Sequence, residues 1–112
     1  MRVGIDLGTT YCAIACVDVV TGKAKVIKNK EGKSITPSVL YFDPSGAIIH
    51  GEEAKAYLED GAEQTANYFK YHMGDDTYSV FRNDKEYSAI DLSAELLKGI
   101  VREAEDEIGE NI

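Results

Sequence analysis

The chain of 112 residues carries 12 Lys and Arg against 20 Asp and Glu, a formal charge of −8 at pH 7. That length suits one domain, or one domain and part of another, and a content of 44% hydrophobic and 9% aromatic residues excludes a disordered composition. The acidic balance argues against a nucleic-acid-binding surface, and no apolar run approaches the ~20 residues of a membrane-spanning helix; a phosphate ligand would have to be held by backbone amides, a lysine and a metal.

The N-terminus, MRVGIDLG, has no apolar stretch behind a basic flank, which points to a cytoplasmic protein. Three strand-like runs follow one another: Arg2 to Leu7, Tyr11 to Val20, and Ala24 to Lys28 after the Thr21-Gly22 corner. Their short connections predict an antiparallel meander. The first two runs are apolar at nearly every position, so both of their faces are expected to be covered. Cys12 and Cys16 lie on one face of the second run, about 13 Å apart and beyond disulfide reach, and are expected to be buried free thiols.

The polar stretch NKEGKSITP, residues 29 to 37, is a candidate boundary. Ser38 to Phe42 and Ala47 to His50 then flank Asp43-Pro44-Ser45-Gly46, a turn sequence that predicts a second hairpin. EEAKAYLED reads as a short helix, and residues 61 to 77 as loop with a helical turn at TANYFKYHM. Tyr78 to Phe81 and Glu86 to Ser88 form a third predicted hairpin across Arg82 to Lys85. Ser88 and Asp91 have the spacing of a capping box, and Leu92, Leu96, Leu97, Ile100, Val101, Ala104 and Ile108 recur at helical spacing up to Gly109. They predict an amphipathic helix over residues 89 to 108.

GIDLGTTY, residues 4 to 11, carries the chemistry. A strand ending at Asp6 puts a carboxylate at the end of a sheet, and Gly8 allows a turn tight enough for successive amides of Thr9, Thr10 and Tyr11 to face an anion. Asp6 suits a hydrated magnesium ion, which favours carboxylate and water oxygens. A plain hairpin accounts for the same residue types, since turns favour Asp and Gly and strands favour Thr. It is not a P-loop, because the lysine and the following helix are absent. Local chemistry leaves both readings open.

GIDLGTTY, the apolar strand after it, VIKNKEG and TPSVLYF, in that order, resemble the start of the ATPase domain of the seventy-kilodalton heat-shock protein chaperones, the DnaK-type family. The resemblance implies an α/β chain, α+β in this fragment: part of an actin-like, ribonuclease H-like ATPase fold, with antiparallel hairpins and a long C-terminal helix. Residues 1–30 would be the first strands of the lower subdomain with the phosphate loop, and residues 35–112 the small upper subdomain of the first lobe. Gly8, Thr9, Thr10 and Tyr11 look like the loop that cradles the β and γ phosphates of ATP or ADP. Asp6 looks like the carboxylate facing hydrated Mg2+, and Thr9 like the threonine beside the γ-phosphate. Lys70, separated from Thr65 by the four residues Ala66, Asn67, Tyr68 and Phe69, resembles the lysine that orients the attacking water, so Lys70 and Asp6 are the catalytic candidates.

The chain departs from the family pattern in places. Tyr71 and His72 stand where the family has an Arg after the lysine, and Ser34 and Ile35 replace an Arg and the first Thr before Thr36-Pro37-Ser38. His72 is expected to have a packing or surface role. The parent protein is expected to bind unfolded or extended peptides and co-chaperones, and neither nucleic acid nor membrane. The fragment is expected to have negligible activity of its own and to dimerise through its unfinished sheet. Other readings are a sugar or metabolite kinase of the same superfamily and a non-catalytic, degenerate module.

Overall fold

A computed structural model describes residues 1–112 as a mixed α/β chain built on two small sheets, a separate hairpin and two helices. The first sheet contains β1 (Val3–Leu7), β2 (Tyr11–Val17), β3 (Ala24–Val26) and the two-residue β4 (Thr36–Pro37). All its pairings are antiparallel, with β2 central: β1 lies on one side, and β3 and β4 share the other. The register sets Ile5 opposite Ile14 and Leu7 opposite Cys12, so these side chains share the inner face with Val3 and Cys16. Gly4, Asp6, Ala13 and Ala15 share the other face, which is open.

Coverage of both faces, expected from the continuous apolar runs, is thus met on one face only. The inner face meets helix α2 (Ala89–Ile108), whose Ile100 and Ala104 close over Cys12, Ile14 and Ile27. Both cysteines are free thiols; Cys12 is buried and Cys16 half-buried. Burial pushes the Cys12 thiol pKa up.

The second sheet has the order β6 (Ile48–His50), β5 (Val39–Phe42), β7 (Thr65–Asn67), all antiparallel. Here the central strand is covered on both sides. Leu40 and Phe42 pack into the core cluster with Leu92 and Leu96 of α2. On the other side, α1 (Glu52–Glu59) brings buried Ala54 and stacks Tyr57 on Tyr41, ring centres 3.8 Å apart. The Asp43 to Gly46 turn joins β5 to β6 as predicted, with Gly46 N–H donating to the Asp43 carbonyl and Gly46 at φ +95°.

Residues 61 to 77 differ from the sequence reading. Thr65–Asn67 is strand β7, not part of a helical turn, and the helical turn is the 3-10 helix Phe69–His72. Tyr68 switches between them in the left-handed region, φ 56°, which places Phe69 in the core at 1% exposure. Three residues are too few to show a period, and β7 exists because β5 offers it an edge. The hairpin of β8 (Val80–Arg82) and β9 (Lys85–Tyr87) is tighter than expected: Asn83 and Asp84 alone make the turn, both with positive φ, the requirement of a type I′ corner.

Helix α2 begins and ends where the spacing predicts. Ser88 accepts from Asp91 N–H while the Asp91 carboxylate accepts from Ser88 N–H, and Gly109 terminates the helix in the left-handed region. At about 30 Å long, α2 is the element that spans both sheets. No helix is long and apolar enough to cross a membrane.

Candidate functional site

The corner between β1 and β2 consists of Gly8, Thr9 and Thr10. Gly8 is required by space: a Cβ there would fall on the carbonyl oxygen of Tyr11. Ser38, just before β5, holds the corner from the second sheet. Its N–H donates to the Thr10 carbonyl at 2.9 Å and its hydroxyl to the Gly8 carbonyl at 2.8 Å. With these carbonyls drawn toward Ser38, the N–H groups of Gly8, Thr9 and Thr10 have no acceptor within the chain. Successive unpaired amides in a tight turn are the elements of an anion-binding nest.

Beside the corner lies a cleft of about 120 Å³, lined by Thr9, Thr10, Tyr11, Lys55, Asn67 and Tyr68 among others. It separates the first sheet from α1 and β7. Lys55 Nζ lies 5.7 Å from the centre of the Tyr11 ring, and the adjacent phenol raises the Lys55 pKa. Tyr11 itself is 40% exposed. The cleft therefore presents two hydroxyls, free amides and one ammonium to solvent.

The predicted residues divide into two groups. Gly8, Thr9, Thr10 and Tyr11 come together at the corner, three of them on the cleft. Asp6 lies opposite Ala13 on the open face of the first sheet, and Lys70 is exposed on the 3-10 helix two residues beyond Tyr68; neither lines this cleft. His72 has a packing role, its ring stacked on Tyr78 with centres 4.0 Å apart. No group of three or more His, Cys, Asp or Glu side chains is arranged to hold a metal directly.

Sequence reasoning missed Ser38 and Lys55. Each acts across more than 25 residues of chain: Ser38 on Gly8 and Thr10, Lys55 on Tyr11. No local signal marks them, because a serine ahead of a strand and a lysine on an exposed helix are ordinary residues in those places.

Comparison with known proteins decides the family. A family model described as Hsp70 protein matches residues 2–84, which include the corner, the cleft and Lys70. The chain belongs to the Hsp70 protein family. Over 110 residues it is 44% identical to a protein named chaperone protein DnaK from Thermotoga neapolitana, an alignment covering 98% of this chain and 18% of that relative. The protein of the same name from Thermosipho melanesiensis is 43% identical over the same shares. That from Thermosipho africanus is 42% identical over 107 residues, 96% of this chain and 18% of the relative. The chain thus spans less than a fifth of the length of these relatives, and α2, beyond the family-model match, falls within the alignments to them.

Proposed function

We propose that this chain is the N-terminal part of the nucleotide-binding domain of an ATP-dependent chaperone, whose parent protein binds and hydrolyses ATP to control its hold on unfolded peptides. The observation that carries the reading is the corner in a member of the Hsp70 family: three amides without acceptors, with the Gly8 and Thr10 carbonyls tied back by Ser38. The division into residues 1–30, a first subdomain with the phosphate loop, and 35–112, a small upper subdomain, belongs to the same proposal. So do a cytoplasmic location and co-chaperone partners.

In this reading the amides from Gly8 to Tyr11 receive the β and γ phosphates, and the Thr9 hydroxyl lies beside the γ-phosphate. Asp6, a single exposed carboxylate at the end of a strand, fits a magnesium ion that keeps most of its water shell and is otherwise held by phosphate oxygens. When bound, that ion offsets phosphate charge. Lys70 supplies an ammonium that orients the attacking water and neutralises charge developing during in-line displacement. Because hydrolysis needs the phosphates enclosed from both sides, the 112 residues alone bind ATP no tighter than about 1 mM, roughly 4 kcal/mol.

Two measurements test this. Replacing Lys70 with Ala in the full-length protein lowers single-turnover ATP hydrolysis by about a hundredfold or more; an unchanged rate removes Lys70 from the mechanism. Calorimetry on the 112-residue chain gives no micromolar ATP binding, and finding it overturns the two-sided site. The free outer edge of β1 and the exposed strand β3 further support association of this chain with itself. A strictly monomeric species in concentrated solution by sedimentation counts against that association.

A further inference from the structure

A half-buried polar junction lies outside the corner and reaches it through the connector. Glu103, on the second turn from the end of α2, is 13% exposed in its side chain. One of its carboxylate oxygens accepts from the backbone N–H of Lys30 at 2.8 Å, and the other lies 2.6 Å from His50 Nε2 on β6. His50 is 15% exposed in its side chain, and Nε2 makes no hydrogen bond, so the Glu103 carboxylate is its one polar contact. The imidazole occupies this place because residue 99 is glycine: a Cβ there would overlap Nδ1 and come 2.7 Å from Cγ.

From Lys30 the connection runs forward by hydrogen bonds. Asn29 folds the 29–33 turn, its side-chain oxygen accepting from the N–H groups of Glu31 and Lys33. Its amide donates to the Thr36 hydroxyl at 3.0 Å and to the Ile35 carbonyl at 3.1 Å. Thr36 and Pro37 pair with Cys12 and Tyr11 as β4, and the next residue is Ser38, which holds the Gly8 and Thr10 carbonyls. The ion pairs of Lys30 with Glu53 and Lys33 with Glu52 are solvent-exposed, 3.5 and 3.8 Å long, and add little. Glu103 is the half-buried anchor of the turn, because a charged acceptor gives a stronger hydrogen bond than a neutral one.

We infer that Glu103, packed against His50 over Gly99, is a positioning residue for the Gly8 to Thr10 corner, acting through the 29–33 turn and Ser38. The inference deepens the proposed function and rests on it only for the identity of the ligand. It assigns α2 a role besides covering the sheets: its carboxylate sets the backing against which the corner's carbonyls are fixed.

The test is amide exchange and chemical shifts by NMR on the 112-residue chain, in Glu103→Ala, Glu103→Gln and His50→Gln, with Ile100→Val as a control for general loosening. Glu103→Ala speeds exchange of the Lys30 and Ser38 amides about tenfold relative to Leu40 in the core, and moves the Gly8, Thr9 and Thr10 amide shifts. Glu103→Gln, which keeps an acceptor for Lys30, restores most of the Ser38 protection. Ile100→Val leaves the corner shifts in place. If only Lys30 responds and Ser38 and the corner are unmoved, Glu103 is a local tie and the inference is overturned. Should Glu103→Ala fail to fold by circular dichroism, His50→Gln decides it: removing the ring against Glu103 speeds Ser38 exchange and moves the corner shifts, and an unmoved corner overturns the inference. Titration with sodium triphosphate separates the two proposals: absence of any shift at Gly8 to Thr10 in the native chain counts against phosphate binding and leaves the positioning result standing.

Discussion

The two sheets of this chain are equally apolar at their centres, yet only one is closed on both faces. β5 is VLYF and lies between α1 and α2; β2 is YCAIACV and has α2 on one side and solvent on the other. Side-chain size accounts for how the open face is tolerated. Gly4, Ala13 and Ala15 leave little apolar area wet at about 25 cal/mol per Å², whereas Val39 and Tyr41 on the comparable face of β5 are large enough to need Ala54 and Tyr57 against them. An apolar strand therefore does not by itself predict two covered faces; the size of the residues on each face says which one must be closed.

Substitutions sharpen that contrast. Leu96 is fully buried among residues of the second sheet, and Leu96→Ala lowers unfolding free energy by about 2–5 kcal/mol in urea titration. Gly8→Ala comes next: its Cβ meets the Tyr11 carbonyl, at a cost of about 1–3 kcal/mol, and the amide shifts of Thr9 and Thr10 move with it. A full-stability variant with an unmoved corner would show that the loop adapts and that Gly8 is not required. Ser88→Ala removes half of the capping box and costs about 1 kcal/mol.

Asp91 adds a pH dependence to that cap. The Ser88 N–H and hydroxyl hold its carboxyl below the usual carboxylate range. A depressed pKa contributes stability that is present above the ordinary carboxylate range and lost as pH falls through the folded-state value. Stability of Asp91→Asn accordingly declines less on acidification than that of the native chain, read by circular dichroism. The smallest effect is on the open face: Ala15→Ser stays within about 0.5 kcal/mol, and a loss several times larger would mean that this face is covered in solution, as by a second copy.

Much of this could be read in advance where the signal is local. The cap at Ser88, the stripe from Leu92 to Ile108 and the stop at Gly109 lie within one helix, and the periodicity and the end residues that produce a helix are present in the residues themselves. The corner was legible for a similar reason: a glycine and two hydroxyl residues after a strand predict a tight turn with amides available, and the motifs in sequence order pointed to the Hsp70 family that the comparisons establish. β7 was not legible, because three residues have no period and form a strand only through β5.

The sequence by itself determined the main strands and helices, the Gly8 corner and the family, since each depends on residues close together or on motifs in a set order. Tertiary structure alone decided which face of β2 stays open, that Ser38 turns the Gly8 and Thr10 carbonyls, and that His50, Gly99 and Glu103 meet at Lys30. These contacts join residues 28 to 73 positions apart, and hydrogen bonding is short-ranged in space but indifferent to separation along the chain.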